Sequence, residues 1–340
     1  MKRFVKISMV ALLFILSSIV TLNYFVDPYW CFEHSYPFNQ YQKGSNERQQ
    51  KTNQLYFGHK KYNALLLGSS RVTYFDKRNL GEHVFNYACS DLQPKEYKAF
   101  IDFAINDAKQ PIKTIYLGLD FYGSLAYGIK KFNNPTSYGE TTRSQFYRYK
   151  LLLSIDSLNN SMHNLKKLKK KSLDTYNREN LKTAPRLFGT TDNNSSFKTL
   201  EYSRYKYHPK WRDPQFKSHL EALKKSYPTI DFIVFTTPVS KALMDEIIKE
   251  KLYPNYEEWL RDSIEVFGTV HHFMFKNTLT LQNKYFMDSN HAYPRVYKQI
   301  AQLLNNKDYK NDIVMKIKQN KIEEQLKVLK RKNSQEDIYW

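Results

Sequence analysis

The chain has 340 residues, with 53 Lys and Arg against 33 Asp and Glu, and a formal net charge of +20. At 41% hydrophobic and 16% aromatic residues it is too rich in core-forming side chains to be wholly disordered. Its two cysteines, Cys31 and Cys89, exclude a disulfide scaffold and a Cys-rich metal site, and the charge points first to a polyanionic partner: nucleic acid, anionic lipid or an acidic polymer.

The N-terminal residues bear on the compartment. Lys2, Arg3 and Lys6 precede a charge-free apolar run from Ile7 to Val26. About 20 apolar residues cross a bilayer core as a helix, and the basic flank keeps that end in the cytoplasm. A cleavable signal peptide needs a shorter apolar region and a small-residue cleavage site. Here the run ends in the bulky Asn23-Tyr-Phe-Val-Asp-Pro-Tyr-Trp30, so residues 1–26 read as an uncleaved signal anchor, with Tyr24, Tyr29 and Trp30 at the far interface. The main domain is then expected outside the cytoplasmic membrane of a bacterium, which removes nucleic acid as a partner. The small residues that precede a lipid-modified cysteine are absent before Cys31.

Residues 27–60 are polar and turn-rich and read as a juxtamembrane tether. A main domain over 61–305 follows. Ala64-Leu-Leu-Leu67 is a short continuous apolar run, suited to a strand buried on both faces. His83-Val-Phe-Asn86 is a second short strand. Pro94 opens a helix whose stripe is Tyr97, Phe100, Ile101, Ala104, Ile105 and Ala108, and Pro111 stops it. Ile112 to Leu119 and Asp231 to Thr236 are further strands. Helices are expected near 216–226, 240–251, 256–266 and 294–304. Strand–helix alternation predicts an α/β fold, a three-layer sandwich with a central parallel sheet flanked by helices. An insertion around 122–228, with the lysine run Lys166 to Lys171, interrupts it. Residues 306–340 are expected to form a basic amphipathic helix.

One constellation carries chemistry. Gly68-Ser69-Ser70-Arg71 follows the first apolar strand, at the carboxyl edge where α/β sheets bind ligands. A serine nucleophile needs an adjacent base. Asp288-Ser-Asn-His291, just before the last predicted helix, provides one: a carboxylate three residues before an imidazole can reach back to fix its tautomer. Ser70, His291 and Asp288 therefore form a candidate triad that requires no metal and no other cofactor. His271-His272 sits in an apolar stretch with the rings on opposite faces of a strand, a structural arrangement in preference to a metal site.

These residues resemble the SGNH, or GDSL-like, hydrolase superfamily, over roughly 62–304. Gly68-Ser69-Ser70 is similar to the family's Gly-Asp-Ser block, and Asp288-Ser-Asn-His291 to its closing Asp-x-x-His block. Phe85 to Asp91 resembles the block whose glycine amide helps form the oxyanion hole, with Asp91 at the glycine position. Leu117-Gly-Leu-Asp120 resembles the Gly-x-Asn block, with Asp120 in place of an oxyanion-hole Asn. An ionised Asp has no donor to give, so Asp120 is either a ligand for substrate hydroxyls or a structural cap. Arg71 is either a contact for a carboxylate or phosphate on the substrate or one half of an ion pair.

The single anchor and the Gly-Ser-Ser-Arg turn resemble the membrane-anchored envelope branch that includes the D-alanylation protein of teichoic acids and the O-acetylation proteins of alginate. The resemblance implies transfer of an acyl group from a donor, through a Ser70 ester, to a hydroxyl of an envelope polysaccharide or glycopolymer, beside a multispanning membrane-bound O-acyltransferase. Two alternatives remain open at this level: a carbohydrate esterase on the same fold, and a non-catalytic membrane-tethered polysaccharide-binding or assembly protein. In this setting the charge of +20 suits anionic headgroups of the cytoplasmic membrane or an acidic glycopolymer.

Overall fold

The computed structural model describes residues 1–107, 109–125, 134–167, 175–184, 212–306 and 311–334. The lysine run lies largely outside them, at 168–171.

The first helix, α1 (Lys2–Val26), is long and apolar enough to cross a membrane, and no residue of its most apolar window is buried. It stops at Asp27, which adopts a left-handed φ of 50°. The Asp27 carboxylate accepts from Cys31 N at 2.7 Å and pairs with Arg178 Nη1 at 2.8 Å, so the chain turns sharply where the helix ends.

The sheet that organises the domain has six strands. They are β2 (Ala64–Leu67), β3 (Val84–Asn86), β4 (Thr114–Leu119), β6 (Asp231–Thr236), β7 (Thr269–His272) and β8 (Met315–Lys318), in spatial order β3-β2-β4-β6-β7-β8. The first five run parallel and β8 is antiparallel to β7. Counting only the parallel strands in chain order gives 2-1-3-4-5, a doubly wound arrangement. The direction of winding reverses between β2 and β4, the switch point at which doubly wound sheets bind ligands outside the carboxyl ends of their strands.

Helices cover both faces, as a parallel sheet requires. Leu65 and Leu67 of β2 and Ile115, Leu117 and Leu119 of β4 point to one side. There they meet α3 (Pro94–Asp107), α7 (Phe216–Ser226), α8 (Lys241–Lys249), α9 (Tyr253–Phe267) and α11 (Ile322–Ser334). Ala64, Leu66, Tyr116 and Phe235 point to the other side, against α10 (Pro294–Asn305). All four residues of β2 are buried, and each leucine contributes about 1.5–3 kcal/mol by leaving water. That burial anchors the end of β2, and so the turn that follows it.

Two expectations need correction. Residues 27–60 are not an extended tether. Tyr41–Lys43 forms β1, paired antiparallel with β5 (Thr175–Asn177), and α2 (Glu47–Phe57) packs into the domain with Arg48, Gln49, Gln50, Lys51, Thr52 and Asn53 all buried. The buried polar side chains from Arg48 to Asn53 all find partners inside the domain, so low hydropathy misreports burial. Gln49 bonds Asn53 and Thr142, Gln50 donates to Pro28 O, and Thr52 meets Tyr87 Oη at 2.6 Å. The C-terminal segment is also not one helix. Met315-Lys-Ile-Lys318 alternates with period two and adds an edge strand, with Ile317 facing the core, before α11 begins. Within the insertion lie α4 (Thr136–Arg143), α5 (Tyr147–Leu152) and α6 (Ile155–Lys167).

Candidate active site

The turn after β2 is cut to fit by glycine. Gly68 has φ +154°, and a Cβ there would sit 2.4 Å from Val72 Cγ2, so no larger residue fits without displacing the turn. Gly118, next door on β4, is excluded from carrying a side chain by the same Val72 methyl, at 2.5 Å. The chain then enters a short 3-10 turn over Val72–Tyr74, which leaves Ser70 half-buried at the crevice. Thr73 Oγ1 fixes the turn by donating to Ser70 O at 2.6 Å.

Opposite lies the 286–293 loop. Phe286 and Ala292 bridge, and Met287 N donates to His291 O at 2.8 Å. The Asp288 carboxylate accepts from the backbone N–H groups of Asn290 and His291, both at 2.8 Å, which curls the loop so that His291 Nδ1 lies 2.9 Å from Asp288 Oδ2. His291 Nε2 is 3.0 Å from Ser70 Oγ. Residues 221 positions apart in sequence thus form a continuous Asp–His–Ser chain of hydrogen bonds. Burial acts to raise the Asp288 pKa. The His291 charge and the hydrogen bonds from His291 and Asn290 outweigh it and hold the carboxyl below its ordinary value. The Tyr74 ring stands edge-on to His291, with centroids 5.7 Å apart.

Arg71 and Asp120 are elsewhere than a substrate contact would require. Their side chains are only 2% and 4% exposed and pair at 2.9 Å. Asp120 also accepts from Ser69 Oγ and from Thr237 Oγ1. Arg71 Nη2 donates to Asn290 Oδ1 at 2.9 Å. The pair therefore ties together the serine turn, the ends of β4 and β6, and the histidine loop. The choice left open in the sequence resolves to a buried ion pair for Arg71 and a structural acceptor for Asp120. Ser69, Thr237 and Asn290 belong to this network and were not singled out in the sequence. Ser69, inside Gly-Ser-Ser-Arg, and Asn290, inside Asp-x-x-His, lay in quoted motifs; Thr237 lay in none.

Asp91 takes a left-handed φ of 53°, a conformation that favours glycine and that Asp tolerates. Its loop is held by α2. Arg48 donates to Ser90 O at 3.0 Å and Asp91 O at 3.3 Å while forking onto Glu96. Glu47 accepts from Ser90 N and Oγ, and Lys51 Nζ donates to Ala88 O at 2.6 Å. Burial pushes the Lys51 ammonium down to about 8. For Glu47, burial is outweighed by Lys182, Lys51 and the Ser90 N–H, which together lower its pKa. The buried polar face of α2 is thus a clamp on the loop beside Ser70. Among the described residues the Ser70 N–H donates to no protein acceptor.

Of the adjacent pair His271-His272, His272 is built into the core. His272 is fully buried between Thr236 Oγ1 at 3.0 Å and Tyr256 Oη at 2.6 Å, and burial pushes its pKa down to about 3. Among the described residues no cluster of three His, Cys, Asp or Glu is arranged to hold a metal.

No protein-family model matches the chain, and no curated protein matches it. One similar solved structure, from Streptococcus pneumonia, is described as "a putative platelet activating factor". The likeness covers 77% of this chain and 91% of that one, at 12% sequence identity and a TM-score of 0.37.

Proposed function

We propose that the chain is a membrane-anchored, serine-dependent acyltransferase of the SGNH-like type, acting on a hydroxyl of an envelope polysaccharide or glycopolymer. The observation that carries this reading is the 3.0 Å contact of Ser70 Oγ with His291 Nε2, backed by Asp288 on Nδ1. It lies at the sheet crevice where doubly wound folds bind ligands.

In the proposed mechanism Ser70 Oγ attacks the carbonyl carbon of an acyl donor while His291 Nε2 takes its proton. Asp288 holds the imidazole with Nδ1–H directed at its carboxylate and stabilises the imidazolium. The Ser70 N–H donates to the oxyanion of the tetrahedral intermediate. Collapse expels the donor's leaving group, which takes the proton from His291, and leaves an ester on Ser70. An acceptor hydroxyl, deprotonated by His291, then attacks that ester and restores the free serine. Water in place of the acceptor gives hydrolysis, the esterase outcome.

Asp120 fits this reading without supplying an oxyanion donor, because its carboxylate accepts from Arg71, Ser69 and Thr237. The left-handed Asp91 stands where the resemblance expects glycine, which supports the alignment of that block. With α1 crossing the membrane, N-terminus inward, the site works on the outer side of a bacterial cytoplasmic membrane, beside a multispanning O-acyltransferase as its partner.

The test is covalent labelling of the detergent-solubilised full chain with a fluorophosphonate. Labelling at Ser70, absent in Ser70→Ala, is expected. No labelling above that control would favour a non-catalytic binding protein. Acceptor-dependent transfer from a chromogenic acetate ester, set against plain hydrolysis, separates transferase from esterase.

A further inference from the structure

The apolar surface of this protein does not end with α1. Ile19, Val20, Leu22, Asn23 and Val26 are partly or fully covered, because the last two turns of α1 pack against α5 and α6. The joint is specific. Asn23 Nδ2 donates to Leu152 O at 2.9 Å, and Ser161 Oγ donates to Asn23 Oδ1 at 2.8 Å.

That joint sets a depth. The charge-free run begins at Ile7 and ends at Val26, and about 20 helical residues are needed to cross a hydrocarbon core of about 30 Å. The covered stretch from Ile19 to Val26 extends about 12 Å along the axis, at 1.5 Å per residue. Whatever touches it lies at the depth of the headgroups and upper acyl chains. The elements that touch it carry the apolar side chains such a depth calls for. Phe146, Tyr149 and Leu153 are 63%, 49% and 56% exposed at spacings of three and four, and Ile155 and Met162 on α6 are 74% and 43% exposed. Exposed Tyr24, Phe25 and Tyr36 continue the surface around the end of α1. Lys150 and Lys166 are exposed on the same two helices, with Asp156 as the exposed acid. Arg148 lies 4.9 Å from the Tyr149 ring centroid.

We propose that α5 and α6 form an interfacial plate inserted into the leaflet on the domain's side. Phe146, Tyr149, Leu153, Ile155 and Met162 enter the headgroup–acyl boundary, and Lys150 and Lys166 meet anionic headgroups. Interfacial helices bury an apolar face about 5–10 Å deep in this way. The plate makes a second attachment rigidly joined to the first, so the Ser70 crevice keeps one height and one orientation above the bilayer. The occupant is lipid, because the surface continues the span itself and lies at its depth. The proposal rests on α1 spanning the membrane.

The test uses the full chain in vesicles of phosphatidylcholine and phosphatidylglycerol carrying nitroxide-labelled lipid. An environment-sensitive fluorophore is attached at Ile155→Cys, at Leu153→Cys, at Leu13→Cys within the span and at exposed Lys225→Cys on α7. The wild-type chain, whose Cys31 and Cys89 are buried, is the labelling blank. Blue-shifted emission and loss of most fluorescence to nitroxide lipid are expected at positions 155, 153 and 13, with a water-like signal at 225. Quenching at 13 with water-like emission at 155 and 153 would overturn the plate while leaving the span intact. A water-like signal at 13 would overturn the span, and the plate with it. Protection of 155 that disappears on dilution to one chain per vesicle would assign the surface to a second copy and overturn the proposal.

Discussion

Asp120→Asn separates this site from the one its family resemblance implies. In the resemblance, Asn at this position is an oxyanion-hole donor. Restoring it would then speed acyl transfer, since one such donor is worth about 2.7–4 kcal/mol of transition-state stabilisation. The structure predicts the reverse. Asp120 and Arg71 are 4% and 2% exposed, paired at 2.9 Å, and Asp120 also accepts from Ser69 and Thr237. Neutralising the carboxylate leaves a desolvated guanidinium without its counter-charge, which costs about 3–5 kcal/mol. For a domain of about 300 residues, with an unfolding entropy of about 0.6 kcal/mol/K, that lowers Tm by about 5–8 °C. It also frees Arg71 to release Asn290, so the His291 loop loses its tie to the serine turn. Urea unfolding of the full chain in detergent measures the first effect, and the fluorophosphonate labelling rate measures the second. Arg71→Met combined with Asp120→Asn should recover part of the stability, because the orphaned charge is gone. Asp120→Asn alone with unchanged stability and faster labelling would refute the buried-pair reasoning.

Three further outcomes follow from the geometry. Asp288→Asn should leave the fold intact but lower the labelling rate by about 10⁴-fold, because the imidazole then loses the carboxylate that fixes its tautomer; a loss under tenfold in a labelling time course would remove Asp288 from the proposed machinery. Gly68→Ala places a methyl 2.4 Å from Val72 Cγ2 and should destabilise by about 1–3 kcal/mol in urea unfolding, with partial rescue by Val72→Ala; equal stability of Gly68→Ala and wild type would contradict the fit. His272 is neutral in the fold and titrates near its ordinary 6.5 once unfolded, so the unfolded chain binds more protons from about pH 6.5 down to about 3 and stability falls as pH drops through that window. In His272→Gln the slope of stability against pH should be shallower there, by up to about 1.4 kcal/mol per pH unit; identical slopes by denaturant unfolding would show that His272 is not the titrating group.

What the sequence made legible was what hydrophobic pattern encodes. Ala64–Leu67, Thr114–Leu119 and Asp231–Thr236 stood out as strands because buried parallel strands are continuous apolar runs. Pro94 and a clear stripe marked α3. Ser70 and Asp288-x-x-His291 were legible from the chemistry their spacing permits, and the fold brings them to hydrogen-bonding distance. What stayed hidden was burial achieved through polar pairing. Glu47–Phe57 reads as solvated chain, yet its side chains find partners far away in sequence, such as Thr142 for Gln49, 93 positions on, and Arg178 O for Gln54, 124 positions on. No local window contains that information. Arg71 and Asp120 were hidden for the same reason: a charged residue at a crevice reads equally as a ligand contact or as an ion pair until its partner's position is known. The strand at Met315–Lys318 lost to a helical reading because its alternation is only four residues long and is followed at once by a helical stripe.

The central claim is that Ser70, activated by His291, carries the acyl group. Mass spectrometry of the full chain after brief exposure to an activated acetate ester tests it most directly. One acetyl group is expected on the peptide containing Ser70, absent from Ser70→Ala and from His291→Gln, and lost faster when a polyol acceptor is added. No ester at Ser70, or an equal ester in His291→Gln, would contradict the account.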